Sequence, residues 1–225
     1  NLRSDDEIRV LDALHSLNVL GVRLKDNIGV EVINAVSPIL TEAKDPGLLH
    51  SVTATVLSYG EYALPLKEHL KKIVEQNASG AAFFAAQTLG SLGHSANDAQ
   101  DSLVSVLKSE TRTKLYAIES LSKIGPIKDE NIMLIDALAR VENKDSYFEI
   151  GLIKVLFMNG SNDPFLVDRL TEHLRNDSSR RRYKVLETIQ EIGLKNVEWA
   201  KPLIDDVVQH DPDRSIREYA KTLLE

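Results

Sequence analysis

The most constraining feature of this sequence is a glycine that recurs at a nearly fixed interval. Six such glycines, separated by 39, 33, 32, 35 and 33 residues, follow apolar segments of similar pattern: Gly21, Gly60, Gly93, Gly125, Gly160 and Gly193. A seventh copy of the pattern ends the chain just short of its own glycine. A fixed period of this length is typical of a solenoid, in which each repeat buries its apolar face only against its neighbours.

Positions counted back from each glycine carry recurring residue types. The fourth position before it holds Leu17, Val56, Leu89, Leu121, Leu156, Ile189 and Leu224. The eighth position before it holds Ala13, Val52, Ala85, Ala117, Leu152, Val185 and Ala220. This spacing places both positions on the packed side of a helix that ends at the glycine.

Each repeat is predicted to contain two helices, A and then B. The B helix ends at the period glycine, because glycine readily adopts the left-handed conformation found at helix C-termini. Turn-forming segments such as Asp45-Pro46-Gly47 and Asp211-Pro212-Asp213 separate A from B. The first A helix is predicted over 27–43, after a break at Gly21. We therefore expect an all-α single domain over 1–225: an N-terminal helix over 5–20 and about six hairpins over 22–60, 61–93, 94–125, 126–160, 161–193 and 194–225.

Two segments carry a resemblance to a known repeat family. The segment Asp213-Arg214-Ser215-Ile216-Arg217, followed by Tyr219-Ala220, resembles the Asp-x-x-Val-Arg-x-x-Ala-Ala start of the second helix of a HEAT repeat. The segment Thr88-Leu89-Gly90-Ser91-Leu92-Gly93 is similar to the Ala-Leu-Gly-x-Leu-Gly end of that helix. The resemblance covers nearly the whole chain and is strongest to short bacterial-type HEAT-like repeats, including those of phycobilin lyases. It implies an armadillo-type, right-handed α-solenoid whose B helices line a concave groove.

The chain departs from the family pattern at one position of the B helix. The arginine of the family, eleven residues before the glycine, is matched by Lys114, Arg182 and Arg217 and replaced by Leu49, Ala82 and Glu149. The resemblance therefore implies that a ladder of Asp/Arg pairs between repeats is interrupted at the replaced positions.

One side of the B helix is not needed for packing and is the candidate binding face. Positions 2, 6, 9 and 13 before the glycine fall close together around the helix, whereas positions 1, 4, 5, 7, 8, 10 and 12 form the packed arc. Tyrosine, methionine and arginine are enriched at protein interfaces. The candidate partner-binding residues are Phe84, Arg112, Tyr116, Lys123, Tyr147, Lys154, Met158, Arg180, Lys184 and Tyr219. The alternative is that the aromatic residues at position 9 are buried between helices.

These features favour a protein-interaction scaffold or adaptor. Its groove would bind a partner protein or a peptide segment, and the basic residues of the face are suited to an acidic one. Two alternatives stay open: an enzyme subunit or chaperone of the phycobilin-lyase type, and a nucleic-acid-binding HEAT-like protein. The net charge of −7 disfavours nucleic acid, since phosphate binding requires a basic surface. No phosphate loop, nucleophile elbow or carboxylate pair stands in a recognisable setting, so we assign no catalytic residue and no cofactor and favour a non-enzyme.

The histidines and one basic run are the remaining candidates for ligand sites. His69 and His173 lie in matching Glu-His-Leu triplets 104 residues apart, which repeat similarity explains, so no metal site is assigned. The absence of cysteine excludes disulfides and thiolate chemistry. The run Arg180-Arg181-Arg182 with Lys184 is interpreted as a solvated helix start that pairs with local carboxylates. Contact with an anion or an acidic segment is the alternative.

Composition and chain ends give further expectations. An apolar content of 43% and a charged content of 27% are ordinary for a soluble folded chain, and no apolar run approaches the roughly 18 residues of a membrane span. The cytoplasm is favoured, with a processed extracytoplasmic form left open, since the chain begins with Asn1. The uncovered terminal helices suggest a fragment of a longer array or self-association through the ends.

Overall fold

The computed structural model describes residue 2 and residues 7–77, 80–141 and 145–225. Within these ranges the chain forms twelve α-helices and three 3-10 helices and contains no strand. Two compact units divide the chain, the N-terminal unit Asn1–Pro126 and the C-terminal unit Ile127–Glu225. The expected all-α repeat architecture is therefore confirmed, while the division into individual repeats stays a prediction.

The N-terminal unit contains six helices in two layers. The helices are α1 (Glu7–Glu42), α2 (Pro46–Ser58), α3 (Lys67–Gln76), α4 (Ala81–Ser91), α5 (Gln100–Ser105) and α6 (Thr113–Leu121). The B helices α2, α4 and α6 pack side by side, with α1 against α2, while the A helices α3 and α5 pack on α4 and α6. Two 3-10 helices, Gly60–Leu66 and Gly93–Ala99, lead into α3 and α5.

The C-terminal unit repeats this arrangement with six further helices. The helices are α7 (Asp129–Ala139), α8 (Ser146–Met158), α9 (Pro164–Leu174), α10 (Ser179–Ile192), α11 (Ala200–His210) and α12 (Arg214–Leu224). The B helices α8, α10 and α12 pack in order, and α7, α9 and α11 each pack on the B helix that follows them. The 3-10 helix Leu194–Asn196 precedes α11.

Aspartate caps fix the start of three B helices. The carboxylate of Asp45 accepts a hydrogen bond from the amide of Leu48, and Asp145 and Asp213 accept from amides in the first turns of α8 and α12. Such caps satisfy amides that have no partner within the helix. The turn segments recognised in the sequence therefore act as helix starts.

Except at Gly21, each period glycine lies one to four residues after the last residue of its B helix. Gly60, Gly93, Gly125, Gly160 and Gly193 all have positive φ angles. Ahead of these five, the residue at the eighth position is fully buried in each copy, as is the eighth position of the last copy, Ala220. The core thus follows the predicted packed arc.

Gly21 behaves differently, and the predicted helix end there is wrong. Helix α1 runs without interruption over Glu7–Glu42, so the separate N-terminal helix over 5–20 and the A helix over 27–43 are one element. A Cβ atom at Gly21 would lie 2.3 Å from Oγ of Ser58 and 2.9 Å from the ring of Tyr59. The glycine at this copy therefore allows α2 to approach α1 and does not end a helix.

Small hydroxyl residues five positions before the glycine allow neighbouring B helices to approach. The hydroxyl of Thr55 donates to the carbonyl of Leu14 on α1, and that of Ser120 donates to the carbonyl of Ala86 on α4. These bonds join adjacent helices of the B layer directly. They fix the relative position of the B helices, and hence of the side chains on their outer side.

Candidate partner-binding surfaces

In the N-terminal unit, four rings form an aromatic row across three B helices. His50 on α2 contacts Phe84 on α4 edge to face, with ring centroids 4.9 Å apart. Phe84 lies 4.1 Å from Phe83, and Phe83 stacks on Tyr116 of α6 at 5.1 Å. Phe83, Phe84 and Tyr116 are half-buried. Because each ring contacts a neighbouring ring and none of the four is fully buried, the aromatic row is a continuous and partly exposed surface.

One exposed guanidinium, that of Arg112, lies on the same B helix as Tyr116 of the aromatic row. Arg112 lies at the start of α6 and is exposed, and its side chain makes no ion pair within the described residues. Lys123 at the other end of α6 is also exposed, but its Nζ lies 3.3 Å from Oε1 of Glu119. The predicted residues Phe84, Arg112, Tyr116 and Lys123 thus lie on α4 and α6, which are adjacent, and Arg112 keeps an uncompensated charge.

In the C-terminal unit, a tyrosine pair joins two B helices. Tyr183 on α10 stacks on Tyr219 of α12, with ring centroids 4.7 Å apart. The hydroxyl of Tyr219 donates a hydrogen bond to Oε1 of Gln190. Burial, together with nearby Tyr183 and the carboxylates of Glu187 and Glu191, raises the pKa of Tyr219. The phenol therefore stays neutral and keeps its role as a donor at neutral pH.

Helix α8 adds two exposed apolar side chains, one at each end. Tyr147 is 43% exposed in the first turn, and Met158 is 44% exposed at the last residue. Both were predicted as binding residues from their repeat positions. Among the described residues no other ring contacts the ring of Tyr147, in contrast to the tyrosine pair on α10 and α12.

The basic residues of the C-terminal unit differ in availability. Arg180 is exposed at the start of α10, and its side chain has no ionic partner in the described part of the chain. Lys184 is half-buried, with its Nζ 2.6 Å from Oε2 of Glu187. Lys154 is only 2% exposed and forms an ion pair with Glu191. The structure therefore corrects the prediction for Lys154, whose buried charge is held by a neighbouring helix and does not face a partner.

The sequence also missed part of the surface. Position 10 before the glycine was assigned to the packed arc, yet Tyr183 at this position is 45% exposed, and His50 and Phe83 form half of the aromatic row. Ideal helical periodicity does not fix where the exposed face of a helix ends, because neighbouring helices cover one side of it more than the other. Aromatic character at both positions 9 and 10 was the signal that could have extended the surface.

Comparison with solved structures identifies the fold. The crystal structure of the archaeal HEAT-like repeats protein from Thermococcus onnurineus NA1 matches 93% of this chain and 95% of its own length, with a TM-score of 0.55 and 18% sequence identity. This chain has a HEAT-like repeat fold. No protein-family model matches the sequence, and no curated protein matches it. At this identity the likeness concerns the fold alone.

One buried ion pair joins helix α10 to the segment between α11 and α12. Arg182 occupies the position of the family arginine on α10 and is 6% exposed. Its Nε and Nη2 atoms donate to the two carboxylate oxygens of Asp211, at 2.7 and 2.8 Å, and Nη1 donates to the carbonyls of Asn176 and Asp177. Burial raises the pKa of Asp211, but hydrogen bonds from Arg182 and from the amide of Asp213 outweigh it and hold the pKa below its ordinary value. Arg182 and Asp211 therefore form a fully hydrogen-bonded pair.

At the next copy towards the N-terminus, the same repeat position carries the opposite charge. Glu149 replaces the arginine and is 1% exposed. Arg169 on α9 donates to its Oε1 at 2.7 Å, and Nε2 of His173 lies 3.2 Å from its Oε2. Burial raises the pKa of Glu149, whereas His173 and Arg169 lower it further than burial raises it. The ladder is therefore not simply lost at Glu149, because α9 supplies the cation.

The described residues show neither a metal-binding cluster nor a membrane-spanning helix. No group of three or more histidine, aspartate or glutamate side chains among the described residues has the arrangement of a metal site. Of the helices that the structure describes, none combines the length and apolar character that crossing a bilayer requires.

Proposed function

We propose that this protein is an interaction scaffold that binds acidic segments of a partner protein on its B-helix faces, the sides of the B helices that carry positions 2, 6, 9 and 13 before the period glycine. The HEAT-like repeat fold supports a protein-interaction role in general. The surfaces are the aromatic row with Arg112 in the N-terminal unit, and the tyrosine pair with Tyr147, Met158 and Arg180 in the C-terminal unit.

One observation about charge carries the proposal. Three carboxylates lie on the predicted binding face, and each is paired with a lysine: Glu119 with Lys123, Glu187 with Lys184, and Glu191 with Lys154. Arg112 and Arg180 occupy the same repeat position and have no such partner among the residues that the structure describes. The uncompensated charge of this face is therefore positive, although the chain as a whole carries −7. Carboxylates of a partner match guanidinium groups in charge and geometry.

The aromatic side chains supply the second part of the interaction. Tyrosine and arginine beside each other are typical of binding hot spots, because a large apolar surface is buried next to a charge that must be paired. A rigid ring also loses little conformational entropy when a partner binds. We expect the partner segment to place apolar side chains on the rings and acidic ones on the arginines.

The test is affinity capture from the source organism followed by direct binding measurements with the captured partner. The variants Arg112→Glu and Arg180→Glu, singly and combined, should weaken binding by about tenfold or more for each arginine that contacts the partner. Arg175→Glu is the matched control, since Arg175 is exposed and unpaired within the described residues but lies after α9, off the B-helix faces. Unchanged binding in the combined variant would contradict the proposal.

A further inference from the structure

The C-terminal unit contains a polar cleft on the side of α8 and α10 that meets the A helices. Its volume is about 510 Å³, within the range of small-molecule sites. The end of α7, the first turn of α8, the outer side of α9 and the start of α10 form its walls. None of the proposed binding residues on the B-helix faces lines the cleft, so it is a separate feature.

Most charges in the cleft are compensated within the protein. Arg169 donates to Glu149 at 2.7 Å and to Glu172 at 2.5 Å, which occupies both carboxylates of the lining. Arg140 forms ion pairs with Asp136 and Asp163 outside the lining, and its guanidinium carbon lies 5.4 Å from the centre of the Phe165 ring. These pairs fix the walls and leave little free charge on them.

The groups of the cleft that have no partner among the described residues are hydrogen-bond donors. Arg181 is half-buried in the cleft and makes no ion pair with any of these residues. Within the same part of the chain, the hydroxyl of Ser146 and the amide nitrogen of Asn176 make no hydrogen bond, whereas the amide oxygen of Asn176 already accepts from Ser178. A cavity whose carboxylates are occupied and whose guanidinium and amide donors are free matches a ligand that accepts hydrogen bonds and carries negative charge.

A buried histidine forms part of the cleft wall. His173 is 7% exposed, and its Nε2 lies 3.2 Å from Oε2 of Glu149. Because this nitrogen already faces a carboxylate, His173 helps to hold Glu149 and is not counted among the free donors of the cleft.

We infer that the cleft binds a small organic oxyanion, with its phosphate or carboxylate group on Arg181 and its apolar part against Phe165. Arg181 supplies the ion pair, while Ser146 and Asn176 supply further donors. The ring of Phe165, together with Ala139 and Val141, provides the apolar wall. This site is independent of the protein partner proposed for the B-helix faces.

The probes are phenyl phosphate and benzoate, with inorganic phosphate as the probe without a ring, titrated into the full chain and followed by ¹H–¹⁵N NMR. Phenyl phosphate or benzoate should give saturable shifts at the amides of Ser146, His173 and Arg181 at concentrations up to about 10 mM. Tighter binding of phenyl phosphate than of benzoate assigns the head group as phosphate, and the reverse order assigns it as carboxylate. Inorganic phosphate should bind more weakly than phenyl phosphate, because it lacks the contact with Phe165.

Two variants decide whether the binding is specific. Arg181→Ala should weaken binding by at least about tenfold and keep the native circular dichroism spectrum, since Arg181 holds no internal ion pair. Arg175→Ala removes an unpaired arginine outside the cleft and should leave the affinity unchanged. Absence of saturable shifts, equal binding in Arg181→Ala, or equal losses in both variants would overturn the inference, the last because it indicates attraction to any surface cation.

Discussion

A single repeat position, eleven residues before the period glycine, carries a buried charge of either sign. Arg182 and Glu149 occupy it in successive copies, and each is bonded to opposite charges from a neighbouring segment. The sequence showed that the family arginine is absent at residue 149. It could not show that Arg169 and His173 replace the missing partner, because that depends on how α9 packs on α8. A buried charge is tolerated only when such partners are present.

Removing the arginine side of the intact pair should destabilise the C-terminal unit strongly. We expect Arg182→Ala to lower the free energy of unfolding by about 3–5 kcal/mol, because buried Asp211 loses the guanidinium that donates to both of its carboxylate oxygens. Urea denaturation followed by circular dichroism measures the change. The neighbouring Arg181→Ala should change the value by less than about 0.5 kcal/mol, since its side chain has no ionic partner in the described residues. Equal effects of the two variants would contradict the assignment.

The lowered pKa of Glu149 predicts a loss of stability in acid. A carboxylate whose pKa is lower in the folded than in the unfolded chain stabilises the fold above its unfolded pKa and loses this contribution as the pH falls. The free energy of unfolding should therefore decrease as the pH drops below about 4.5, the ordinary value for glutamate. Glu149→Gln should weaken this dependence and lower the stability at pH 7, whereas exposed Glu130→Gln should do neither. An unchanged acid slope in Glu149→Gln would show that Glu149 does not contribute.

At the scale of elements, the first helix shows that a glycine of the repeat does not always mark the end of a helix. The residues after Gly21, Val22 to Asn27, include no proline, whereas prolines or turn formers follow most of the other period glycines. Asp26 and Asn27 are turn formers, yet α1 continues through them to Glu42. The close approach of α2 also explains the glycine, but that contact depends on tertiary packing and cannot be deduced from spacing alone. The starts of α2, α8 and α12 were predictable, because their aspartate caps act locally.

Gly21→Ala tests this interpretation of α1. In an exposed helix the change would stabilise by about 1 kcal/mol, since alanine has the higher helix propensity. Here we expect destabilisation by about 1–3 kcal/mol, because the new methyl group would overlap with Ser58 and Tyr59. Chemical denaturation measures the sign, with Val22→Ala as the adjacent exposed control. A more stable Gly21→Ala protein would mean that α1 and α2 are not in close contact at this point.

For the molecule as a whole, the glycine period and the core positions predicted an all-α repeat fold, and the structural comparison confirms it. The binding face was predictable only in outline. Periodicity identifies which side of a helix is outermost, but it does not reveal whether a charged side chain is already paired with a neighbour. Lys154 and Lys184 illustrate the difference, since both lie on the predicted side and both are bonded to glutamates. Arg112 and Arg180 became the stronger candidates only when these pairs were known.

The central claim is that the B-helix faces are free for a partner and are not part of the core. The most direct test measures stability and partner affinity on the same double variant, Tyr116→Ala with Tyr147→Ala, using the captured partner. We expect affinity to fall at least about tenfold, while the free energy of unfolding falls by less than the roughly 2–5 kcal/mol expected for the core control Leu121→Ala. A loss of stability equal to that of Leu121→Ala, with affinity unchanged in the protein that remains folded, would contradict the account.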